Sequence, residues 1–328
     1  MSRYLLKRLG LSVVILLCVS FIVYTIMRCI PSSYIETLAR ERASQPGSKS
    51  YTEWLAQLKA VYGMDVGIPQ GFVKWLGNVL RGDFGDSWYY NMPVLEKFTS
   101  VVGDSFLLGA IAFVLQLLIA IPLGIVAARR QYSRADYGIT VLSLIGISLP
   151  SFFFATLLKL FFSVRLGWFD LYGKVGRYYQ QLSPVGKFFD VASHLVLPVA
   201  TLTIVSIGFL MRYTRTNMLE VLGADYIRTA RAKGLPEKTV VRRHAFRNTL
   251  IPVVTLIGGT LPSLFSGAMI TETLFQIPGI GYTAYQAMVG GDIPFSMFYL
   301  VFMAALTLAG TLIADILYAV VDPRVRIR

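Results

Sequence analysis

The sequence predicts an all-α membrane protein with six transmembrane helices, both termini cytoplasmic, and a helical extracytoplasmic excursion after the first helix. Three observations predict it. Six long stretches contain no Asp, Glu, Lys or Arg. Charged residues make up only 15% of the 328 positions, against about a quarter in ordinary soluble domains. The basic residues, finally, are shared unequally between alternate connections.

The uncharged stretches are Leu9–Met27, Ser105–Ala128, Tyr137–Leu158, Val191–Met211, Asn248–Thr271 and Ile293–Ala314. Each is long enough to cross a hydrocarbon core of about 30 Å as a helix rising about 1.5 Å per residue. A large soluble helical protein has no use for six such runs. The fourth is the weakest, because His194 lies near its start.

With the N-terminus inside and the helices alternating, the inner segments hold eighteen Lys and Arg and the outer ones twelve, eight of these in one long outer segment. The two short outer loops carry four and none. Short connections set orientation, and here the inner ones are much richer in basic residues. The same asymmetry accounts for the net charge of +13 without any nucleic-acid partner. Met1–Arg8 and the apolar run after it resemble a signal peptide. The run is longer than the usual h-region, however, and no small-x-small cleavage site follows, so it reads as an uncleaved first helix.

The chain divides into 1–28 (N-terminal segment and first helix), 29–103 (the excursion), 104–322 (a five-helix core with an inner loop at 212–247) and a tail at 323–328. In the excursion, Trp54, Leu55, Leu58 and Val61 recur at helical spacing, with Gly63 placed to stop that helix. Phe72, Val73, Trp75, Leu76, Val79 and Leu80 form a second amphipathic stretch. Arg81-Gly82-Asp83-Phe84-Gly85-Asp86-Ser87 reads as a turn.

Pro122, Pro150, Pro198 and Pro262 interrupt spanning helices and should bend them. With neighbouring small residues they suit a bundle that lines a path. The candidate path or outer-gate residues are Pro150, Ser151, Gly258, Gly267 and Glu272. Lys159, Glu272 and Asp292 fall at predicted outer ends and Asp315 near an inner one, where each should reach water. None lies at mid-depth, which argues against a proton relay. Cys18 and Cys29 lie roughly 16 Å apart along a helix, too far for a disulfide. With only His194 and His244 besides, no metal site is expected, and no cofactor. There is no Gly-x-x-x-x-Gly-Lys-Ser/Thr phosphate loop and no paired catalytic group at depth, so the chain is not expected to be an enzyme.

The inner segment from Arg212 to Arg247 is too long for a simple connection. Nine basic residues stand there against Glu220, Asp225 and Glu237. Ala224–Lys233 reads as a short helix stopped by Gly234. Tyr226, Ile227 and Ala230 share one arc and Arg228 and Arg231 the adjacent face. A helix this short is unstable alone in water. Docking on another protein and lying on anionic lipid are both open at this point.

The stretch Asp225-Tyr226-Ile227-Arg228-Thr229-Ala230-Arg231-Ala232-Lys233-Gly234-Leu235 resembles the coupling-helix motif of ATP-binding-cassette importer permeases, in particular the dipeptide/oligopeptide branch. Arg228-Thr229-Ala230-x-x-x-Gly234 stands where the wider family has Glu-Ala-Ala-x-x-x-Gly. The resemblance continues through His244–Pro252 and covers nearly the whole chain. It includes Tyr62–Asp65, Arg81–Gly85, Ser148–Phe152, Glu272–Phe275, Pro278–Gly281 and Asp322–Arg324. Departures fall at ends and turns: Pro31-Ser32-Ser33 where the branch has Pro-Gly-Asp-Pro, Pro236 where it has Ser, and no basic residue before Asp292.

The resemblance implies a permease in a bacterial inner membrane, forming half of a translocation path with a second homologous permease. Two cytoplasmic ATPase subunits would grip the coupling helices, and an extracytoplasmic solute-binding protein would deliver cargo. The cargo implied is di- or oligopeptide. Nickel chelates, glutathione or oligosaccharides travel through permeases of the same architecture.

Overall fold

The computed structural model describes residues 2–29, 33–45, 49–61, 66–266 and 268–321. Gly63, Gly267, the Tyr62–Asp65 and Asp322–Arg324 motifs and Pro31-Ser32 therefore lie outside the described residues. The described chain is helical almost throughout and forms two compact units.

The first unit comprises Met1–Val102 and Thr283–Leu308. It opens with α1 (Ser2–Cys29), α2 (Ser33–Ala43), α3 (Tyr51–Val61) and α4 (Ile68–Val79). The two amphipathic stretches legible in the sequence are thus α3 and α4. Their apolar faces meet Tyr24 and Met27 of α1 in a core that also holds Ile35, Leu58, Trp88, Ile293 and Met297. Phe72 of α4 stands edge-on to Phe21 at 5.1 Å and to Tyr24 at 5.7 Å, and Arg28 donates to the Val66 carbonyl at 2.7 Å. The Gly-Asp-rich turn leads into a minimal antiparallel ribbon, β1 (Asp86–Ser87) against β2 (Met92–Pro93), with Ser87 opposite Met92.

Asp292 ties this ribbon to the last helix. It precedes α14 (Ile293–Val321) and accepts from the Phe295 amide at 3.1 Å, an N-cap bond that satisfies one orphan donor of the first turn. Its other oxygen accepts from Ser87 Oγ and, at 3.2 Å, from the Tyr89 amide. Asp292 is fully buried, so the sequence expectation that it reaches water fails. The chain's own donors replace water around it.

The second unit comprises Gly103–Tyr282 and Ala309–Arg328. Most of α5 (Val94–Arg129) belongs to it, with α6 (Arg134–Ser148), α7 (Ser151–Leu158, continued as a π-helix to Arg165), α8 (Pro184–Leu222), α9 (Asp225–Ala232) and α10 (Glu237–Thr239). A π-helical turn, Val240–Ala245, then leads into α11 (Phe246–Thr260). A 3-10 turn, Leu261–Phe265, comes before α12 (Met269–Phe275), and α13 (Ile280–Val289) follows. Helices α6 and α8 cross at glycine: a Cβ on Gly208 would lie 2.4 Å from the Ser143 carbonyl, and one on Gly146 2.8 Å from the Ile204 carbonyl. Small residues allow such backbone approach where lipid supplies no hydrophobic drive for helix association.

Among the described residues, four helices are long and apolar enough to span a membrane: Leu6–Cys29, Val94–Arg129, Pro184–Leu222 and Ile293–Leu317. A fifth candidate is the pair α6–α7, bent by 105° at its break. The prolines divide into two kinds. Pro122 and Pro198 lie inside unbroken α5 and α8. Pro150 stands at the break, as the N-cap of α7, and Pro262 in the 3-10 turn. The Asn248–Thr271 stretch is divided between α11, that turn and the start of α12.

Candidate functional site

The inner segment that the sequence singles out folds onto its own unit. Helix α8 runs on to Leu222, and Gly223 caps it. After one extended residue, α9 begins at Asp225 and ends at Ala232. Gly234 follows with φ +74°. In this left-handed region a side chain costs about 1–2 kcal/mol, and the turn reverses the chain toward α10, whose N-cap is Pro236.

Ile227 and Ala230 project into a cluster with Met218 of α8, Ala128 at the end of α5, and Val240, Val241 and Ala245 of the π-helical turn. Ile227 is wholly buried and Ala230 is 6% exposed. Only part of the expected apolar arc is therefore open: Tyr226 remains 46% exposed, with Asp225, Arg228, Thr229, Arg231, Ala232 and Lys233 also exposed. The chain itself thus supplies the packing a short helix needs.

Two guanidinium–carboxylate pairs brace this region, and the sequence reading named neither. Arg231 bonds both oxygens of Glu237, at 3.1 and 2.9 Å, across the Gly234 turn. These bonds hold the Glu237 carboxyl below its ordinary range. Arg215 of α8 bonds both oxygens of Asp136 at 2.7 and 2.8 Å. Asp136 also accepts from the Tyr132 amide at 2.9 Å, while its own amide donates to Ser133, the N-cap of α6. The Ser133-x-x-Asp136 spacing was the available signal for that cap. The pairings themselves, Arg215 with Asp136 and Arg231 with Glu237, had no comparable local mark.

Residues 120–327 match the family described as binding-protein-dependent transport system inner membrane component, and residues 1–121 match its N-terminal region. This chain is a member of that family. The oligopeptide transport system permease protein AppB of Bacillus subtilis is 38% identical over 326 residues, covering 99% of each chain. The dipeptide transport system permease protein DppB of Escherichia coli is 33% identical over 342 residues, again with 99% of each covered. Among solved structures, a methionine ABC transporter, MetNI, in inward-facing conformations superposes with a TM-score of 0.50 at 16% identity, covering 70% of this chain and 97% of that one. That likeness concerns the fold alone. The protein is an inner-membrane transport component, not a catalyst.

The permease's candidate path residues are not gathered in one place. Pro150 is exposed and Ser151 half-buried at the α6–α7 break. Gly258 is buried on α11, where a Cβ would meet Leu317 and Ile313 of α14; Gly267 lies outside the described residues.

Glu272 is fully buried and does not reach water as the sequence suggested. Its Oε1 accepts from Ser105 Oγ at 2.7 Å and the Ala268 amide at 3.0 Å, and its Oε2 from the Tyr282 amide at 3.0 Å. Ser105 Oγ in turn accepts from the Ile280 amide at 2.7 Å. The carboxylate thus sits at the start of α13, where free amides and the helix dipole favour negative charge. Gly281 has no room for a side chain, since a Cβ there would lie 2.7 Å from the Met269 backbone.

Lys159 is likewise nearly buried. It donates to the Leu274 carbonyl at 2.6 Å and lies over the Tyr172 ring.

Proposed function

We propose that this permease is one of two homologous membrane subunits of an ATP-driven importer for di- or oligopeptides. A solute-binding protein delivers cargo at the outer face, and two cytoplasmic ATPases drive transport through the outward face of α9. The observation that carries the coupling role is the division of α9 into two faces. Ile227 and Ala230 anchor it to the permease, leaving Tyr226, Arg228, Thr229 and Lys233 exposed on a braced support. A motion imposed on that exposed face passes through the anchor into α5 and α8. Asp225–Gly234 then form the docking element, and Pro150, Ser151, Gly258, Gly267 and Glu272 belong to the path or its outer gate, Glu272 by fixing its shape. The peptide cargo is supported by the full-length similarity to permeases named for oligopeptide and dipeptide transport.

The membrane arrangement proposed has six spans: α1, α5, the bent α6–α7 pair, α8, α11 with its 3-10 turn, and α14. Residues 1–28, 29–103, 104–322 and 323–328 serve as first helix, extracytoplasmic excursion, core and cytoplasmic tail. Both termini and the 212–247 loop face the cytoplasm, as the basic residues indicate, and lipid surrounds the exposed apolar face of α1.

The test is uptake by the assembled importer in proteoliposomes charged with its binding protein. The account expects ATP-dependent accumulation of labelled di- and tripeptides. Accumulation of nickel chelates, glutathione or oligosaccharides in their place would overturn the cargo assignment and leave the architecture standing.

A further inference from the structure

A chamber of about 360 Å³ opens in the second unit between α5, α8 and the 3-10 turn after α11. Its polar lining consists of Ser105, Gln116, Ser206 and Thr260, and its apolar lining includes Phe113, Phe209 and Leu264. Among the described residues no Asp, Glu, Lys or Arg lines it. Gln116 lies near the middle of the uncharged Ser105–Ala128 stretch, roughly 17 Å from either end at about 1.5 Å per residue. A side-chain amide at that depth is costly against hydrocarbon and is tolerated where it faces protein or a water-filled cavity. Gln116 faces this chamber.

The hydrogen-bond inventory narrows what the wall offers. Ser105 Oγ is committed to Glu272 and to the Ile280 amide. Thr260 Oγ1 donates to the Ile257 carbonyl at 2.8 Å. Gln116 donates through Nε2 to the Ser206 carbonyl at 3.2 Å, which fixes the amide between α5 and α8. Its Oε1 has no partner among the described residues and is an acceptor for an N–H donor.

We propose that this chamber is a segment of the cargo path and that Gln116 is its specificity-determining residue, an uncharged amide that engages peptide backbone and lets the importer ignore cargo charge. The inference rests on the peptide-importer reading above and gives it a physical basis for breadth. A wall of amide, hydroxyl and aromatic groups has no Coulomb preference between a carboxylate and an ammonium on the cargo. A fixed charge in the same place would have one, because a partly dehydrated chamber screens less than bulk water. The chamber would then behave as charged pore linings do, favouring one sign of passing charge.

The experiment introduces the charge after folding. Gln116→Cys is made in a background with Cys18→Ser and Cys29→Ser, and the complete importer is assembled and reconstituted. The thiol at 116 is then modified with an anionic or a cationic methanethiosulfonate reagent. Uptake of three tripeptides of equal length, neutral, acidic and basic, is compared at saturating binding protein. Modification by both reagents is expected. The Cys18→Ser, Cys29→Ser importer that keeps Gln116 should take up all three peptides alike, and unmodified Gln116→Cys gives the ratio against which each adduct is read. The anionic adduct should lower acidic relative to basic uptake about tenfold, as a unit charge a few ångström away predicts, and the cationic adduct should reverse the ratio. No reaction at 116 while the exposed thiol of a Lys238→Cys control reacts, or full modification with unchanged uptake ratios, would overturn the inference. Uptake of none of the three peptides by the Cys18→Ser, Cys29→Ser importer that keeps Gln116, with active ATPases, would instead remove the peptide-importer reading beneath it.

Discussion

Glu272 and Asp292 show how much one buried carboxylate can organise. Each accepts at least three hydrogen bonds, and each is sealed from water within its own unit. Removing the acceptor strands several buried donors, at about 1–3 kcal/mol for each unsatisfied group. Glu272→Ala should therefore lower the thermal unfolding temperature of the detergent-solubilised permease by several degrees. Gly281→Ala, which drives a methyl into the Met269 backbone, should lower it as well. An unfolding transition unmoved in both variants would mean that Glu272 is not the linchpin of this corner. Both positions looked like water-exposed helix ends in the sequence. The partners that bury them, Ser105 for Glu272 and Ser87 for Asp292, lie far away in the chain, where no periodicity could pair them. Gly234 is the opposite case: its stop role was legible because a left-handed residue after a basic helix end is a local matter.

At the scale of the element, α9 reverses an expectation. Its short length required a packing partner, and the structure supplies one from the same chain. Ala230→Asp would bury an unpaired charge against Met218, Val240 and Ala245, at a cost of roughly several kcal/mol. It should disorder residues 224–240 in the isolated permease, seen as faster amide exchange, before any ATPase is present. Unchanged exchange there would refute the intrachain anchor.

The Arg231–Glu237 pair makes a second test at this scale. Glu237 titrates below its ordinary range because Arg231 bonds it. Its contribution is fully present above the ordinary carboxylate range and is lost as pH falls through the depressed value. The pair is about half exposed, so its contribution is small. Glu237→Gln should loosen the Gly234 turn at neutral pH, raising exchange at 231–237 only. Equal exchange in variant and parent at neutral pH would show that the clamp does not order the turn.

For the whole molecule, the uncharged stretches made the class of protein readable, since a hydrocarbon core dictates long apolar helices whatever their tertiary partners. The breaks were less readable. Four prolines looked alike, yet α5 and α8 pass through Pro122 and Pro198 unbroken, while the chain turns by 105° beside Pro150. Proline reports a missing donor, and the packing around it decides whether the helix stops. The neutral chamber was illegible for a related reason: Gln116 and Ser206 are unremarkable until α5 and α8 are set side by side.

The proposed orientation makes a direct prediction. In a version lacking Cys18 and Cys29, single cysteines replacing Lys49 and Lys238 should label oppositely with an impermeant thiol reagent in intact cells, the first from outside and the second only after the membrane is opened. Labelling of both from outside would contradict the six-span arrangement.

The central claim is that energy enters through the outward face of α9, and Tyr226 is the large exposed apolar side chain on that face. The most direct measurement is ATP turnover by the purified assembly, stimulated by loaded binding protein, with Tyr226→Asp against the parent. The account predicts that the variant permease inserts and unfolds at the parent's temperature but loses ATPase subunits on purification, or loses stimulation by about tenfold or more, as expected when a charge replaces an aromatic at the centre of an interface. Full retention of the ATPases with normal stimulated turnover would contradict it.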